Sequence, residues 1–118
     1  MLELITLLML KHATCDLALQ RWRPQRSKTN YFSPGIQLHS MDHGVSTAII
    51  CAFFVAPGLA LLAGIVDYFC HSIIDCTKSN LFQHYGIQPA SDSYWSWQTV
   101  DQIAHYLTYY GIVYFLFK

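Results

Sequence analysis

Ionisable side chains recur at a fixed interval inside the apolar segments of this chain, and that interval constrains how the segments fold. Within residues 66–78, Asp67, His71 and Asp75 are spaced four residues apart. Residues four apart lie on one face of a helix, so these two carboxylates and the imidazole point in the same direction. In apolar surroundings such groups are costly unless they pair with one another or bind a metal. The segment therefore predicts a helix with one polar face directed at polar partners.

Every other long apolar segment carries a pair of metal-ligand residue types at the same interval. These pairs are His12 and Asp16, His39 and His43, and Asp101 and His105. Four of the six aspartates and five of the six histidines thus lie in apolar segments, whereas such groups are usually spread over a solvated face. The rest of the chain is interpreted as a frame that holds these side chains.

The sequence predicts an all-α fold with one domain and four helices. The expected ranges are about 1–20, 38–56, 59–78 and 98–117. Pro57 and Gly58 separate the second and third helices, and the polar, aromatic segment 79–96 precedes the fourth. In an up-down-up-down bundle, the pairs near the ends of the first and third helices meet those near the starts of the second and fourth. All four pairs are therefore expected at one depth.

Composition favours a membrane protein over a soluble one. Charged residues make up 12% of the chain and hydrophobic residues 53%, which is too apolar for a typical soluble domain. Helices of about 20 residues cross a hydrocarbon core of about 30 Å, so we expect a four-helix transmembrane bundle. A soluble four-helix bundle is the alternative, because the first two helices are polar over about half their length.

The expected partner is membrane lipid. No basic patch interleaved with aromatics indicates nucleic-acid binding, and a homo-oligomer or protein partner stays open.

The positive-inside rule gives the orientation of the predicted spans. The basic segment 21–28 contains Arg21, Arg23, Arg26 and Lys28 and is expected on the cytoplasmic side. Four spans then place both termini on the opposite side of the inner membrane, in a multi-pass protein. The opening segment lacks the basic region of a signal peptide and is interpreted as the first helix of the mature protein.

Aromatic residues and cysteines are assigned supporting roles. Tyr94, Trp95 and Trp97 fit an interfacial aromatic belt before the fourth helix. Further along that helix, the residues expected to face lipid or to pack are Tyr109, Tyr110, Tyr114 and Phe115. The four cysteines form no CxxC pair and are expected to be buried free thiols.

Histidine and carboxylate ligands without cysteine suit zinc first, with iron and manganese as the other candidates. The predicted ligands are His12, Asp16, His39, His43, Asp67, His71 and His105. This set exceeds one tetrahedral shell, so either two ions bind, or one ion binds and the other groups orient its ligands. Asp75 and Asp101 are the candidate general bases or orienting groups, and Lys78 is a candidate to hold a phosphate or oxyanion. Near the headgroups, such a site predicts hydrolysis of a lipid ester, amide or phosphoester.

Two non-enzymatic functions use the same residue types. A metal-ion or proton pathway would need polar residues continuing towards Pro57 and Gly58, and the sequence has almost none there. A structural or interaction protein, for instance a phage membrane factor, would use the polar groups only to lock its helices together.

The motifs also resemble a known family across nearly the whole chain. They are HATCDLALQ, the following Lys28, LHSMDH, DYFCHSIID-x-x-K and DQIAH. In this order they resemble the small bacterial and phage membrane proteins of the domain of unknown function 3307 family. That resemblance implies a helical membrane protein and no particular activity. The chain departs from the family pattern in a longer, more aromatic loop before the fourth helix. A more distant similarity, to LexA-regulated inner-membrane proteins labelled metal-dependent hydrolases, implies hydrolysis by analogy.

Overall fold

Four α-helices make up most of the computed structural model, which describes residues 1–22 and 28–118 and contains no strand within those ranges. The helices are α1 (Leu2–Thr14), α2 (Pro34–Cys51), α3 (Pro57–His84) and α4 (Asp92–Leu116). A π-helical turn, Cys15–Leu19, and a 3-10 turn, Gln20–Trp22, continue α1. The prediction of an all-α fold with four helices is confirmed. Arg23 and Arg26 of the predicted basic segment lie outside the described residues.

The helix boundaries follow local stop and start signals. Pro34 and Pro57 occupy the first turns of α2 and α3, where a missing N–H costs nothing. Helix α3 continues to His84, past the predicted end at residue 78, because no glycine or proline lies between Gly64 and Gly86. Gly86 adopts a φ of 60°, and the next amide, of Ile87, donates to the carbonyl of Phe82 at 2.9 Å. This is a Schellman ending, which requires a left-handed residue.

Helix α4 begins earlier than the predicted residue 98. Ser91 caps it by accepting a hydrogen bond from the amide of Tyr94 at 3.1 Å, and Asp92 adds negative charge in the first turn. The connection between α3 and α4 is therefore only residues 85–91. The prediction of a long loop over 79–96 is wrong, and Trp95 and Trp97 lie on helix α4 instead.

The interior is divided into an apolar layer and a polar layer. The apolar layer consists of Leu4, Leu8, Cys51, Ala60, Ala63, Tyr109, Ile112 and Val113. It joins the starts of α1 and α3 to the ends of α2 and α4, so neighbouring helices run in opposite directions. The polar layer lies at the other end and contains the histidines and aspartates described below.

Helices α2 and α3 cross most closely at two glycines. A Cβ atom on Gly64 would lie 2.5 Å from the carbonyl oxygen of Gly44 and 2.8 Å from the Cβ of Ala48. Neither glycine can carry a side chain without separating the helices. Small residues at such a crossing are typical of closely packed membrane helices, and they occur in soluble bundles as well.

The outer surface of the bundle is rich in large apolar side chains. Leu61, Phe69, Leu107 and Tyr110 are each more than half exposed. By length and composition, however, α3 is the one described helix that is long and apolar enough to cross a membrane, with a mean hydropathy of 1.5 over its best window. Helix α1 stops after 13 residues and α2 after 18. The prediction of four spans is not supported by this criterion.

Candidate metal centre

The end of α1 places Asp16 at the centre of three histidines. Asp16 lies on the π-helical turn, where the chain widens, and π turns are frequent at functional sites. Its Oδ1 atom lies 3.1 Å from Nε2 of His43 and 3.2 Å from Nε2 of His39. Its Oδ2 atom lies 3.1 Å from Nε2 of His12. One carboxylate on the π-helical turn thus contacts imidazoles from α1 and α2.

A second contact completes a group rich in histidine. The Nε2 atoms of His39 and His71 lie 3.1 Å apart. One ligand atom from each of Asp16, His39, His43 and His71 lies within 4.8 Å of all the others. A tetrahedral zinc ion with bonds of about 2.0–2.1 Å separates its ligand atoms by about 3.4 Å. The three shortest separations in the group, 3.1–3.2 Å, are close to that value. We call these four residues the His-rich group.

The facing halves of α3 and α4 form a carboxylate-rich group from Asp75, Asp101 and His105. Nε2 of His105 lies 3.4 Å from Oδ1 of Asp75 and 3.6 Å from Oδ1 of Asp101. All three side chains are buried. Two carboxylates and one imidazole are ligands that suit harder divalent cations as well as zinc.

His71 connects the two groups. Its ring stacks on His43 at 3.6 Å and on His105 at 4.2 Å between ring centroids. His71 also forms a third set of potential ligands with His12 and His105. The five histidines and three aspartates therefore form one continuous cluster, and every predicted site residue except Asp67 and Lys78 belongs to it.

The chemistry of these side chains fits a divalent cation. Two ring nitrogens 3.1 Å apart repel each other if both are unprotonated, and a cation bound to both removes that conflict. Oδ1 of Asp101 is buried and accepts no hydrogen bond within the described ranges. The three carboxylates outnumber the two ammonium groups that contact them, those of Lys28 and Lys78, and their remaining contacts are imidazoles. Added positive charge would therefore stabilise the cluster.

Asp67, a predicted ligand, belongs to a neighbouring buried network and not to the cluster. Its Oδ2 atom accepts from Lys11 at 2.7 Å and from Thr47 at 2.5 Å. Lys11 is itself buried and lies 3.1 Å from the hydroxyl of Tyr109. Since that carboxylate oxygen already has two donors and a charged partner, Asp67 balances Lys11.

Tyr109 connects this network to the cluster. It is fully buried, and its hydroxyl lies 2.8 Å from Nδ1 of His12. Nδ1 of His43 lies 3.4 Å from Nζ of Lys11. These contacts occupy the Nδ1 atoms, so the Nε2 atoms of His12 and His43 face the cluster. Metal-binding histidines commonly have such a hydrogen-bond partner on the ring nitrogen that does not bind the metal.

Sequence reasoning missed Lys11 and grouped Tyr109 with residues expected to face lipid or to pack. Asp101, His105 and Tyr109 continue one four-residue interval along α4, so the same spacing rule would have found the tyrosine. Lys11 carries a weaker signal, since its place between Leu8 and Cys15 on the buried face of α1 is typical of an apolar residue.

The cluster opens into a cleft of about 610 Å³. His12, Asp16 and Asp75 form part of its wall, and Lys28 and Lys78 stand beside them. Apolar and aromatic side chains form another part, namely Leu17, Phe82, Tyr94, Trp95 and Tyr106. Nζ of Lys78 lies 3.1 Å from Oδ2 of Asp101, and Nζ of Lys28 lies 3.6 Å from Oδ2 of Asp75. The cleft thus offers both charged and apolar surfaces to a ligand.

Fold and cluster together define a class: all-helical proteins with a buried histidine and aspartate cluster at one end of an antiparallel four-helix bundle. The chain belongs to the family described as protein of unknown function (DUF3307), whose model matches residues 4–118. The predicted family assignment is therefore confirmed. Among curated proteins and among solved structures, no match to the chain was found.

Proposed function

We propose that this protein is a metal-dependent hydrolase whose metal centre is the buried cluster. One observation carries the proposal: potential ligand atoms from the π turn and from all four helices converge in three overlapping groups, which border a cleft. A structural lock would need only pairwise hydrogen bonds, whereas here the buried Oδ1 atom of Asp101 lacks a hydrogen-bond partner in the described part of the chain. Zinc is the first candidate ion, and iron or manganese are the others.

The proposal includes a location in the inner membrane, with the four helices as a transmembrane bundle. Its support is the reversed distribution of polarity, since His43, Asp67 and His71 are buried while Leu61, Phe69 and Leu107 face outwards. Polar groups directed inwards and an apolar exterior are typical of membrane bundles. The positive-inside rule then places Arg21 and Lys28, and the cleft beside Lys28, on the cytoplasmic side.

Within such a centre, the residues take distinct roles. A bound divalent ion would lower the pKa of a coordinated water and polarise a carbonyl or phosphoryl oxygen. The His-rich group would hold that ion, and the water would add a fifth ligand to its four side chains. Asp75 borders both this group and the cleft, a position that suits a general base. Asp101 forms an ion pair with Lys78. Lys78 would bind a phosphate or a developing oxyanion.

The cleft supports a lipid-type substrate. Trp95, Phe82 and Tyr106 offer surface to an acyl or other apolar part, while Lys28 and Lys78 offer positive charge to an anionic or polar head. A lipid ester, amide or phosphoester would meet both needs. An ion or proton pathway is less well supported, because the apolar layer closes the opposite end of the bundle.

The test is hydrolysis by the full chain purified in detergent. Chelator-treated protein is assayed with p-nitrophenyl acetate, p-nitrophenyl phosphate and phospholipid in mixed micelles, before and after zinc or manganese is restored. We expect metal-dependent turnover of at least one probe, and a loss of 100-fold or more in His39→Ala, which removes a ligand. His84→Ala is the matched control, because His84 is exposed at the end of α3. No turnover with any probe in folded, metal-loaded protein would contradict the proposal.

A further inference from the structure

We infer that the cluster holds two divalent cations and that Asp75 bridges them. The inference rests on the proposed metal centre and specifies its composition. The first ion is bound by the His-rich group. The second is bound by Asp101 and His105, and Asp75 supplies one oxygen to each ion, so that in the two-ion form Asp75 is a ligand and no longer the general base.

The orientation of Asp75 is the first argument. Its Oδ2 atom lies 3.7 Å from Nε2 of His39 and 3.7 Å from Nε2 of His71. Its Oδ1 atom faces the other way and lies 3.4 Å from Nε2 of His105. The two oxygens of one carboxylate are thus directed at separate ligand groups. Paired metal ions about 3.5–4 Å apart are commonly held in this way, and helical bundles hold them with inward carboxylates and histidines.

Unsatisfied charge is the second argument. Asp75 and Asp101 are each 5% exposed, and Oδ1 of Asp101 has no hydrogen-bond partner among the described residues. One ion in the His-rich group would leave this second pair of carboxylates with contacts only to the imidazoles around them and to Lys28 and Lys78, at 3.6 Å and 3.1 Å. A buried carboxylate oxygen without a donor is costly. A second cation supplies its missing partner.

The two sites differ in chemistry. Three imidazoles and one carboxylate favour zinc, whereas two carboxylates and one imidazole accept manganese, magnesium or iron readily. Both sites border the cleft, the first through Asp16 and the second through Asp75. Because it has fewer imidazole ligands, the second site should exchange its ion more easily than the first.

Manganese tests the inference directly, because its electron paramagnetic resonance reports whether two ions are close. The full chain is stripped with chelator in detergent, loaded with Mn²⁺ and freed of excess ion. We expect two Mn²⁺ per chain and a spin-coupled spectrum. Asp101→Asn should reduce the content to one ion and abolish the coupling. Asp92→Asn, an exposed change at the start of α4, should leave both results unaltered.

Several results would overturn the inference: fewer than two Mn²⁺ per wild-type chain, a spectrum without coupling, or two coupled ions in Asp101→Asn. The wild-type spectrum decides the question even where Asp101→Asn does not fold. Failure here is separable from failure of the proposed function. A single ion with metal-dependent hydrolysis overturns only the bridged pair, whereas two coupled ions without hydrolysis overturn only the hydrolase.

Discussion

At the scale of single residues, the hydrogen-bond partners behind the histidines decide which ring nitrogen faces the cluster. The Tyr109 hydroxyl contacts Nδ1 of His12, and Lys11 lies beside Nδ1 of His43. Because these partners occupy the Nδ1 side, the Nε2 atoms remain directed at Asp16. The network around Lys11 therefore orients the centre without belonging to it.

The orienting role of Tyr109 is tested by Tyr109→Phe, which removes the hydroxyl and keeps the ring. Loss of a partner behind a metal-binding histidine weakens metal binding by about 10–100-fold. We expect a change of that size in a zinc competition titration, with helical content unaltered. Tyr110→Phe is the control, since Tyr110 is 61% exposed. Equal affinities in the two variants would show that the hydroxyl does not orient His12.

The ion pair between Lys11 and Asp67 makes a prediction about stability. Lys11→Met leaves a buried carboxylate without its cation, a change that costs about 3–5 kcal/mol in buried pairs. The double variant Lys11→Met/Asp67→Asn should regain most of that loss, because no charge remains and Thr47 can still donate to residue 67. Both are compared by the free energy of unfolding in detergent. A double variant as unstable as the single one would argue against charge burial as the cause.

At the scale of helices, the sequence predicted the polar faces better than the boundaries. The four-residue interval placed His39, His71 and His105 on facing surfaces, and the structure brings them together. It could not show that α3 continues to His84, because the polar run after Lys78 is typical of a loop as well as of a solvated helix end. Nor could it show the π turn at Asp16, which depends on packing between helices and has no local signature.

The crossing of α2 and α3 is tested by Gly64→Ala. The new Cβ would lie 2.5 Å from the carbonyl oxygen of Gly44, so the helices must separate, at a cost of about 1–3 kcal/mol. Gly111→Ala in α4 is the control, because its Cβ would meet nothing within 4 Å and alanine favours the helix by about 1 kcal/mol. We expect a lower thermal midpoint for Gly64→Ala and an unchanged or higher one for Gly111→Ala. A thermal midpoint lower for Gly111→Ala than for Gly64→Ala would contradict the close crossing of α2 and α3.

At the scale of the whole molecule, the usual distribution of polar and apolar residues is reversed. Charged and imidazole groups fill one end of the interior, and large apolar side chains lie on the outer surface. Length and hydropathy identify only α3 among the described helices as a candidate span. Helix α1 is too short for this criterion, and in α2 and α4 buried polar residues lower the mean hydropathy.

The proposed membrane location predicts behaviour on extraction. The expressed chain should sediment with membranes, stay in the membrane fraction after an alkaline carbonate wash and dissolve only in detergent. The reason is that its large apolar outer surface needs lipid or detergent around it. Fractionation followed by blotting of a tagged chain measures this. A folded, monodisperse chain in buffer without detergent would contradict the transmembrane bundle and favour a soluble one.

The central claim is that the convergent histidines and aspartates bind metal, and elemental analysis of the detergent-purified protein tests it most directly. Wild type is compared with His71→Ala, which removes the ring that connects both groups, and with His84→Ala, an exposed histidine outside the cluster. We predict zinc, iron or manganese at two equivalents in wild type and His84→Ala, and at no more than one equivalent in His71→Ala, which loses a ligand of the first ion. A folded wild type that stays free of metal after zinc and manganese are offered would contradict the account.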